Sequence, residues 1–460
     1  MLEHLPPLDP EFQPASVWKR EFKEKSSGDG HRIPLVLGLG GAEGELSVLH
    51  RDEIEGLVTP AACLYIERLV KFLLWQRGGC TITVGGSDEV ADYLEEAYCK
   101  GGAREFDVDF IGRKLFGSPV TIRRVNDVDS LSLTTADPIS LGRHLDGCRI
   151  GFDLGGSDRK AAAVIDGEVV FSEEIPWDPY FQSDPQYHID GIRNSLRRAA
   201  AHLPRIDAIG GSAAGVYVDN EARAGSLFRG ISAEDFDHRV RRIFFDVMEA
   251  EGWQEVPWNV VNDGDVTALA GAMSLQANSV LGLSMGTSEA VGYVDSEGSI
   301  RPWLNELAFA PIDYRNQAPI DEWSGDRGCG VQYFSQQAVA RLIPKAEIPV
   351  EEGTPFAAQL EQVQGLMADG DPRAAAIYET IGVYLGYTIP HYADFYEIEH
   401  LLILGRVTSG EGGAIIIEKA NQVLRDEFPE LADRIQIHTP NEQDKRHGQA
   451  VAAASLPPIG

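Results

Sequence analysis

Four short stretches of the 460-residue chain carry the residue types that handle phosphates and hydroxyls. Asp153-Leu154-Gly155-Gly156-Ser157 follows an apolar run. Backbone recognition of phosphate needs close approach, which glycine permits. The Ser157 hydroxyl can donate to a phosphate oxygen, and Asp153 can orient a water on Mg2+, a cation that keeps most of its waters. Asn262-Asp263-Gly264-Asp265 closes one apolar run and opens an Ala-rich one. Phosphoryl transfer to a hydroxyl needs a positioned carboxylate to accept the proton, and Asp263 suits that role. Asn262 beside it can hold a neighbouring hydroxyl. Gly286-Thr287-Ser288 repeats the character of the first stretch. Leu404-Gly405, followed by Gly410, Gly412 and Gly413, would let a flat purine approach the backbone. Each stretch also has a plain structural reading: a hairpin turn, a helix cap, a second hairpin and a loose loop.

The elements that must position them are legible as a pattern of alternating strands and helices. From Cys148 onward, strands are expected at 148–153, 161–164, 168–171, 206–209, 256–261, 280–284, 290–294 and 401–404. Helices are expected at 190–202, 235–252, 264–275, 374–389 and 449–455. Asp166-Gly167 reads as a two-residue hairpin turn. The hairpin, helix and strand pattern occurs twice, after Asp153 and after Val280. Upstream, residues 1 to about 30 are Pro-rich and then charged, and are expected to wrap the surface. Residues 33–148 read as a separate α/β unit. It has strands at 33–38, 81–84 and 120–125, a helix at 61–77, and a helix at 88–100 capped by Ser87. No chemistry is assigned to it.

Lys and Arg number 40 against 71 Asp and Glu, a net charge of −31, which repels phosphate backbones and anionic lipid. No nucleic-acid partner and no membrane partner are expected. Hydrophobic residues make up 43% of the chain, enough for a sizeable core. The five cysteines are odd in number and share no C-x-x-C spacing, which fits a reducing, cytoplasmic setting. The first residues carry no basic segment followed by an apolar run, so no signal peptide is expected. The most apolar helical stretch, 61–75, includes Glu67, Arg68 and Lys71 and is too short to span a bilayer.

Taken together, the four stretches occur in the order of the sugar-kinase/Hsp70/actin superfamily. Within it, residues 149–457 resemble the ROK (repressor, open reading frame, kinase) family. Gly210-Gly211-Ser212-Ala213-Ala214-Gly215 followed by Asp219 is similar to the family's glycine-rich sugar loop. Asn262-Asp263 matches its Asn-Asp pair, in which the Asp is the base. Residues 281–288 match its second phosphate segment, Glu306 its Glu-x-Gly-His motif, and Gly328-Cys329 with Tyr333-x-Ser335 its Gly-Cys-x-x-x-Tyr-x-Ser segment. The resemblance implies two ribonuclease H-like, actin/hexokinase-type lobes around a nucleotide cleft, plus an additional N-terminal α/β domain. The implied division is 1–148, then 149–262 with 445–460, then 263–444.

It further implies an ATP-dependent sugar kinase using Mg2+, a small-molecule sugar partner and a homodimer. Asp263 would be the base. Asn262, Glu306, Gly211, Ser212 and Gly215 would face the sugar. Asp153, Gly155, Gly156, Ser157, Gly286, Thr287, Ser288 and Gly405 would face the nucleotide, with Asp153 reaching Mg2+ through water. The chain also departs from the family. The positions of the zinc-binding His and two of its three Cys are Phe309, Glu322 and Ser324, leaving Cys329 alone, so no zinc site is expected. A further sugar-binding Glu position is Val331, and Asp158 stands where the family has Lys. The rival expectation is a non-catalytic sugar sensor on the same scaffold.

Overall fold

The structure, a computed structural model, describes residues 2–25, 32–41, 46–55, 59–126, 129, 131–133, 140–439 and 448–459. Residues 26–30 of the N-terminal stretch and 445–447 of the closing segment lie outside them.

The chain opens with helix α1 (Ala15–Lys25), strands β1 (Arg32–Gly40) and β2 (Leu46–Glu55), and helix α2 (Pro60–Arg77). Strand β3 (Thr81–Gly85), helix α3 (Asp88–Ala97) and strand β4 (Thr121–Val125) follow. The four strands form one sheet in the order β2-β1-β3-β4. Thr59 caps α2, with Pro60 opening it, and Ser87 caps α3 by accepting from the Val90 amide. Strand β2 escaped the sequence reading because its residues LSVLHRDEIE mix charge into the alternation.

The segment before α1 lies along the surface, with Leu5 and Glu11 exposed, but it is anchored inward rather than solvated throughout. Phe12, Ala15 and Val17 are buried, and Phe12 packs on Tyr333 and Tyr384. Asp9 is buried between Arg315, Arg341, Lys345 and the Tyr384 hydroxyl. Charge there marks a paired interior contact.

Strands β5 (Cys148–Leu154), β6 (Asp158–Ile165), β7 (Glu168–Pro176), β8 (Ala208–Ala213) and β11 (Trp258–Asn262) form the second sheet, ordered β11-β8-β5-β6-β7. β5-β6-β7 is antiparallel, while β8 and β11 add on in parallel. Helix α4 (Pro185–Ala200) joins β7 to β8. A small hairpin of β9 (Val216–Val218) and β10 (Glu221–Ala224) precedes helix α5 (Ile243–Glu251). The helix expected over 235–252 is broken: Phe236–Val240 is a π turn, and α5 begins only at Ile243.

Helix α6 (Asp263–Leu275) leads to the third sheet, β13-β12-β14-β15, built from β12 (Val280–Met285), β13 (Glu289–Val294), β14 (His400–Leu404) and β15 (Gln436–His438). It repeats the second sheet's scheme of an antiparallel hairpin followed by parallel neighbours. Between β13 and β14 lie α7 (Gln336–Leu342), α8 (Phe356–Ala368) and α9 (Pro372–Ala393). Helices α10 (Glu411–Glu427) and α11 (Gly448–Ala454) complete the chain. Gly412 and Gly413 therefore lie in the first turn of α10 and not in a loose loop. A Cβ at Gly412 would strike the Tyr378 ring at 2.4 Å and one at Gly413 the Thr408 carbonyl at 2.0 Å, so both serve close packing of the start of α10.

The N-terminal sheet keeps no core to itself. Leu35, Leu37, Trp75 and Ile82 belong to the same buried cluster as Leu281, Tyr384 and Ile403 of the third sheet's surroundings. The second sheet has its own cluster, including Ile150, Phe152, Ile209 and Phe244. Among the described residues no helix is long and apolar enough to cross a membrane.

Candidate active site

Asp263 is the first residue of α6. Strand β11 ends at Asn262, whose side chain accepts from the Gly264 amide (2.7 Å) and donates to the Gly215 carbonyl (2.7 Å). Asn262 thus caps the helix and ties it to the glycine-rich loop, leaving one amide hydrogen for a ligand. Gly215 lies at φ +143°, and a Cβ there would sit 2.5 Å from the Ala224 carbonyl, so the loop accepts only glycine at this point. Burial, then the neighbouring charge of Asp153, pushes the Asp263 carboxyl up to about 6; the α6 amides and Lys160 oppose this.

Asp153, near the end of β5, is buried, and each of its oxygens accepts one hydrogen bond. Ser212 Oγ donates to its Oδ1 (2.6 Å), and Lys160 Nζ to its Oδ2 (3.0 Å). Lys160 also meets Asp158 (3.3 Å) and Gln449 Oε1 (3.4 Å), and Gln449 Nε2 donates to Thr267 of α6 (2.7 Å). Asp158 and Lys160 share one face of β6, two residues apart.

The placement of the other expected residues is specific. Ser212 turns onto Asp153 rather than into the glycine-rich loop. Gly211 sits inside β8, where a Cβ would strike the Phe152 ring at 2.2 Å; its place is in sheet packing, not against a sugar. The Gly155 amide is spent on the Asp158 carbonyl (3.0 Å) and the Gly286 amide on the Ser288 carbonyl (3.0 Å), each closing its own turn. Neither can face a phosphate. The amides of Gly156, Ser157, Thr287 and Ser288 make no hydrogen bond among the described residues, and these are the donors left to an anion. The Ser157 hydroxyl donates to Asp158 (2.8 Å). Trp177 Nε1 donates to the Gly155 carbonyl (2.7 Å), and the Tyr180 hydroxyl lies over Gly156, so both aromatics brace the first turn. Gly405 (φ +97°) lies against Met285, which brings the end of β14 beside the Gly286 turn.

Glu306 is placed by the N-terminal unit. Its amide donates to the Trp75 carbonyl (3.0 Å), and that of Asn305 to the Gln76 carbonyl (3.0 Å), so the C-terminal end of α2 holds this segment. Burial, then the charge of Asp263, pushes Glu306 up to about 7. Asn305 donates to Asp265 Oδ1 (2.9 Å), and Asp265 is pushed up to about 8, mainly by burial.

The segments around Phe309, Trp323 and Cys329 are held together by stacked aromatics and buried ion pairs. Phe309 packs on Trp75 (4.6 Å) and Trp323 (5.0 Å), and Trp323 meets Phe106 and Phe110 edge-on. Lys71 of α2, fully buried, bridges Asp107 (2.8 Å) and Asp326; Arg104 joins Asp326 and Glu67. Burial pulls Lys71 down, but Asp107 and Asp326 outweigh it and hold the lysine charged. The Cys329 thiol is buried and pushed up to about 12, the wrong state for a metal ligand. Among the described residues no three His, Cys, Asp or Glu come together as a metal site.

Sequence reasoning missed Lys160, Gln449, Trp75, Lys71 and Asp326. The available signal was Lys71 itself, a charge on the apolar face of a helix, which demands a partner from elsewhere.

No protein-family model matches the chain, and no curated protein matches it. Solved structures do. The ROK hexokinase from Thermus thermophilus is similar at a TM-score of 0.52 and 18% identity, over 67% of this chain and 96% of that one. A ROK family transcriptional regulator, a homologue of the E. coli MLC protein, is similar at 0.50 and 20%, over 68% of this chain and 78% of that one. The chain therefore has the mixed α/β fold of the ROK kinases and regulators, of actin/hexokinase type. Since one neighbour is a kinase and the other a regulator, the likeness does not choose between those activities.

Proposed function

We propose that the protein is an ATP-dependent sugar kinase with Asp263 as general base. The observation that carries this reading is the carboxylate itself. It stands at the head of α6, with a pKa near 6, between Asp153 and Glu306. A base near that value is largely ionised at neutral pH and still basic enough to accept a proton. The sugar hydroxyl loses its proton to Asp263 as its oxygen bonds to the γ-phosphorus and the bond to ADP breaks. Glu306 and the free amide hydrogen of Asn262 hold neighbouring hydroxyls. The amides of Gly156, Ser157, Thr287 and Ser288 suit the phosphates, Gly405 the nucleotide's flat base, and Asp153 a water on Mg2+. Bound Mg2+ supplies charge neutralisation on the phosphates.

The reading extends to two lobes, 149–262 with 445–460 and 263–444, facing a cleft. Residues 1–148 form a third unit that steadies the acceptor side. A homodimer in the cytoplasm, with a small-molecule sugar as ligand and neither nucleic acid nor membrane as partner, completes it.

One observation favours the rival, a sugar sensor without turnover. Both oxygens of Asp153 are already engaged by Ser212 and Lys160, and the Ser157 hydroxyl by Asp158. Release of ADP from ATP–Mg2+ across a panel of sugars separates the two. Sugar-dependent release supports the kinase; stabilisation by sugar without release supports the sensor.

A further inference from the structure

A cavity of about 770 Å3 lies where the N-terminal sheet meets the end of β11. Its wall includes Arg77, Tyr217, Asn220, Arg223, Asn262 and Arg301. It reaches the candidate site, because Asn262 is a wall residue and the Tyr217 phenol, raised by burial, is raised further by Asp263.

Three buried polar atoms in this wall have no hydrogen-bond partner: Arg77 Nε, Tyr217 Oη and Arg223 Nε. All three can donate. Together they leave hydrogen-bonding capacity for an acceptor that enters the cavity. Arg223 is paired with Glu221 (3.1 Å), and Arg301 with Asp295 and Glu297. The Arg77 side chain has no ion pair and no hydrogen bond among the described residues. Its guanidinium carbon lies over the Trp303 ring, 3.2 Å from the centroid. Burial pulls its pKa down to about 10, so it remains charged at neutral pH. The acids of the wall do not neutralise it. Asp265 is held by Asn305 and the Tyr293 amide and is mostly protonated at pH 7, and Asp219 is exposed. A half-buried cation with no counter-ion, beside two further orphaned donors, calls for a ligand that brings negative charge and oxygen acceptors.

We infer that the cavity binds the anionic group of an acidic sugar, a carboxylate or a phosphate, with Arg77 as its ion-pair partner and Tyr217 and Arg223 donating to the same ligand. That the ligand is the phosphoryl acceptor rests on the kinase reading; that the cavity binds an anion does not. Arg77 ends α2, whose Trp75 and Gln76 carbonyls hold Glu306 and Asn305. One helix end would thus supply both the brace for a hydroxyl-binding carboxylate and the cation for the charged end of the same molecule.

The test is calorimetric titration of the full chain with glucose, gluconate, glucuronate and glucose 6-phosphate, beside Arg77→Gln, Arg77→Met and Arg223→Gln. Methionine keeps an apolar contact with Trp303, so at least one Arg77 variant should unfold at the wild-type temperature. One acid is expected to bind at least tenfold more tightly than glucose, and more weakly as NaCl rises. The preference should vanish in both Arg77 variants and weaken severalfold in Arg223→Gln. Whether gluconate and glucuronate or the phosphate binds identifies the anion. Glucose binding as tightly as every acid, no acid binding at all, or a preference that survives Arg77→Gln would overturn the inference. The kinase reading fails separately: Arg77-dependent acid binding without ADP release would leave the anion site standing and the kinase refuted. Phosphorylation of glucose with an indifferent Arg77→Gln would do the reverse.

Discussion

The two sides of the candidate site are built in different ways. The side that the kinase reading gives to phosphate is local. Each turn is closed by a hydrogen bond between residues two or three apart, from Gly155 to Asp158 and from Gly286 to Ser288. The acceptor side is assembled from distant segments. Trp75 holds Glu306, Lys71 bridges Asp107 and Asp326, and Asn262 reaches Gly215. A turn keeps its shape wherever its few residues permit it. The acceptor side keeps its shape only while an N-terminal helix stays docked on a loop 255 residues away. Stability and substrate recognition should therefore be coupled on one side and separable on the other.

The largest expected effect is on the acceptor side. Lys71→Met leaves Asp107 buried without a cation and Asp326 with Arg104 alone, which costs about 3–5 kcal/mol. Urea melts should show that loss, and sugar affinity should fall with it. An unchanged midpoint would show that the N-terminal unit does not brace the loop.

On the phosphate side, Lys160→Met removes a charge that holds Asp263 down. The acid limb of the rate profile should move upward from about 6 by roughly half to one unit. The KM for ATP should rise about tenfold while sugar binding stays intact. A shift in sugar affinity alone would contradict the division between the sides.

Asp263→Asn tests the strain at their junction. The native carboxyl titrates near 6, above its ordinary value of 3.8, so between those values the native state binds more protons than the unfolded one. Native stability therefore falls as pH rises through that window and stays lower above it. The variant escapes this and should be more stable than the native protein at pH 7–8 by up to about 3 kcal/mol, with the difference vanishing below about pH 4. Melting curves at the two pH values measure it.

The smallest effect is expected from Asp158→Lys, which replaces a carboxylate beside the first turn by the family's cation. The KM for ATP should fall severalfold, and a rise would show that this turn does not meet phosphate.

How far the chain could be read follows the same division. The turns at Gly155 and Gly286, the cap at Asn262 and the strands leading into them depend on residues a few positions apart, and their sequence signatures were sufficient. So was the repeated hairpin scheme of the second and third sheets. The inward docking of Phe12 and Asp9 was not legible, because composition alone made that segment look solvated. Nor was the use of the Gly155 and Gly286 amides, since a glycine turn reads the same whether its amide faces a ligand or its own loop. The cluster of Lys71, Arg104, Asp326 and stacked aromatics depends on a helix whose partners lie beyond any local pattern. Two cues were present all the same: the charges of Lys71 and Arg68 in an apolar helix, and the Phe at position 309.

The central claim is that Asp263 is a base acting on a sugar hydroxyl. Its most direct test is sugar-dependent ADP release by the full chain from pH 5 to 8, with Asp263→Asn beside it. The account predicts turnover that requires a sugar, rises with pH through about 6 as Asp263 ionises, and falls about a thousandfold in the variant while sugar binding is retained. Turnover that survives in Asp263→Asn, or sugar binding with no ADP release at any pH, would contradict it.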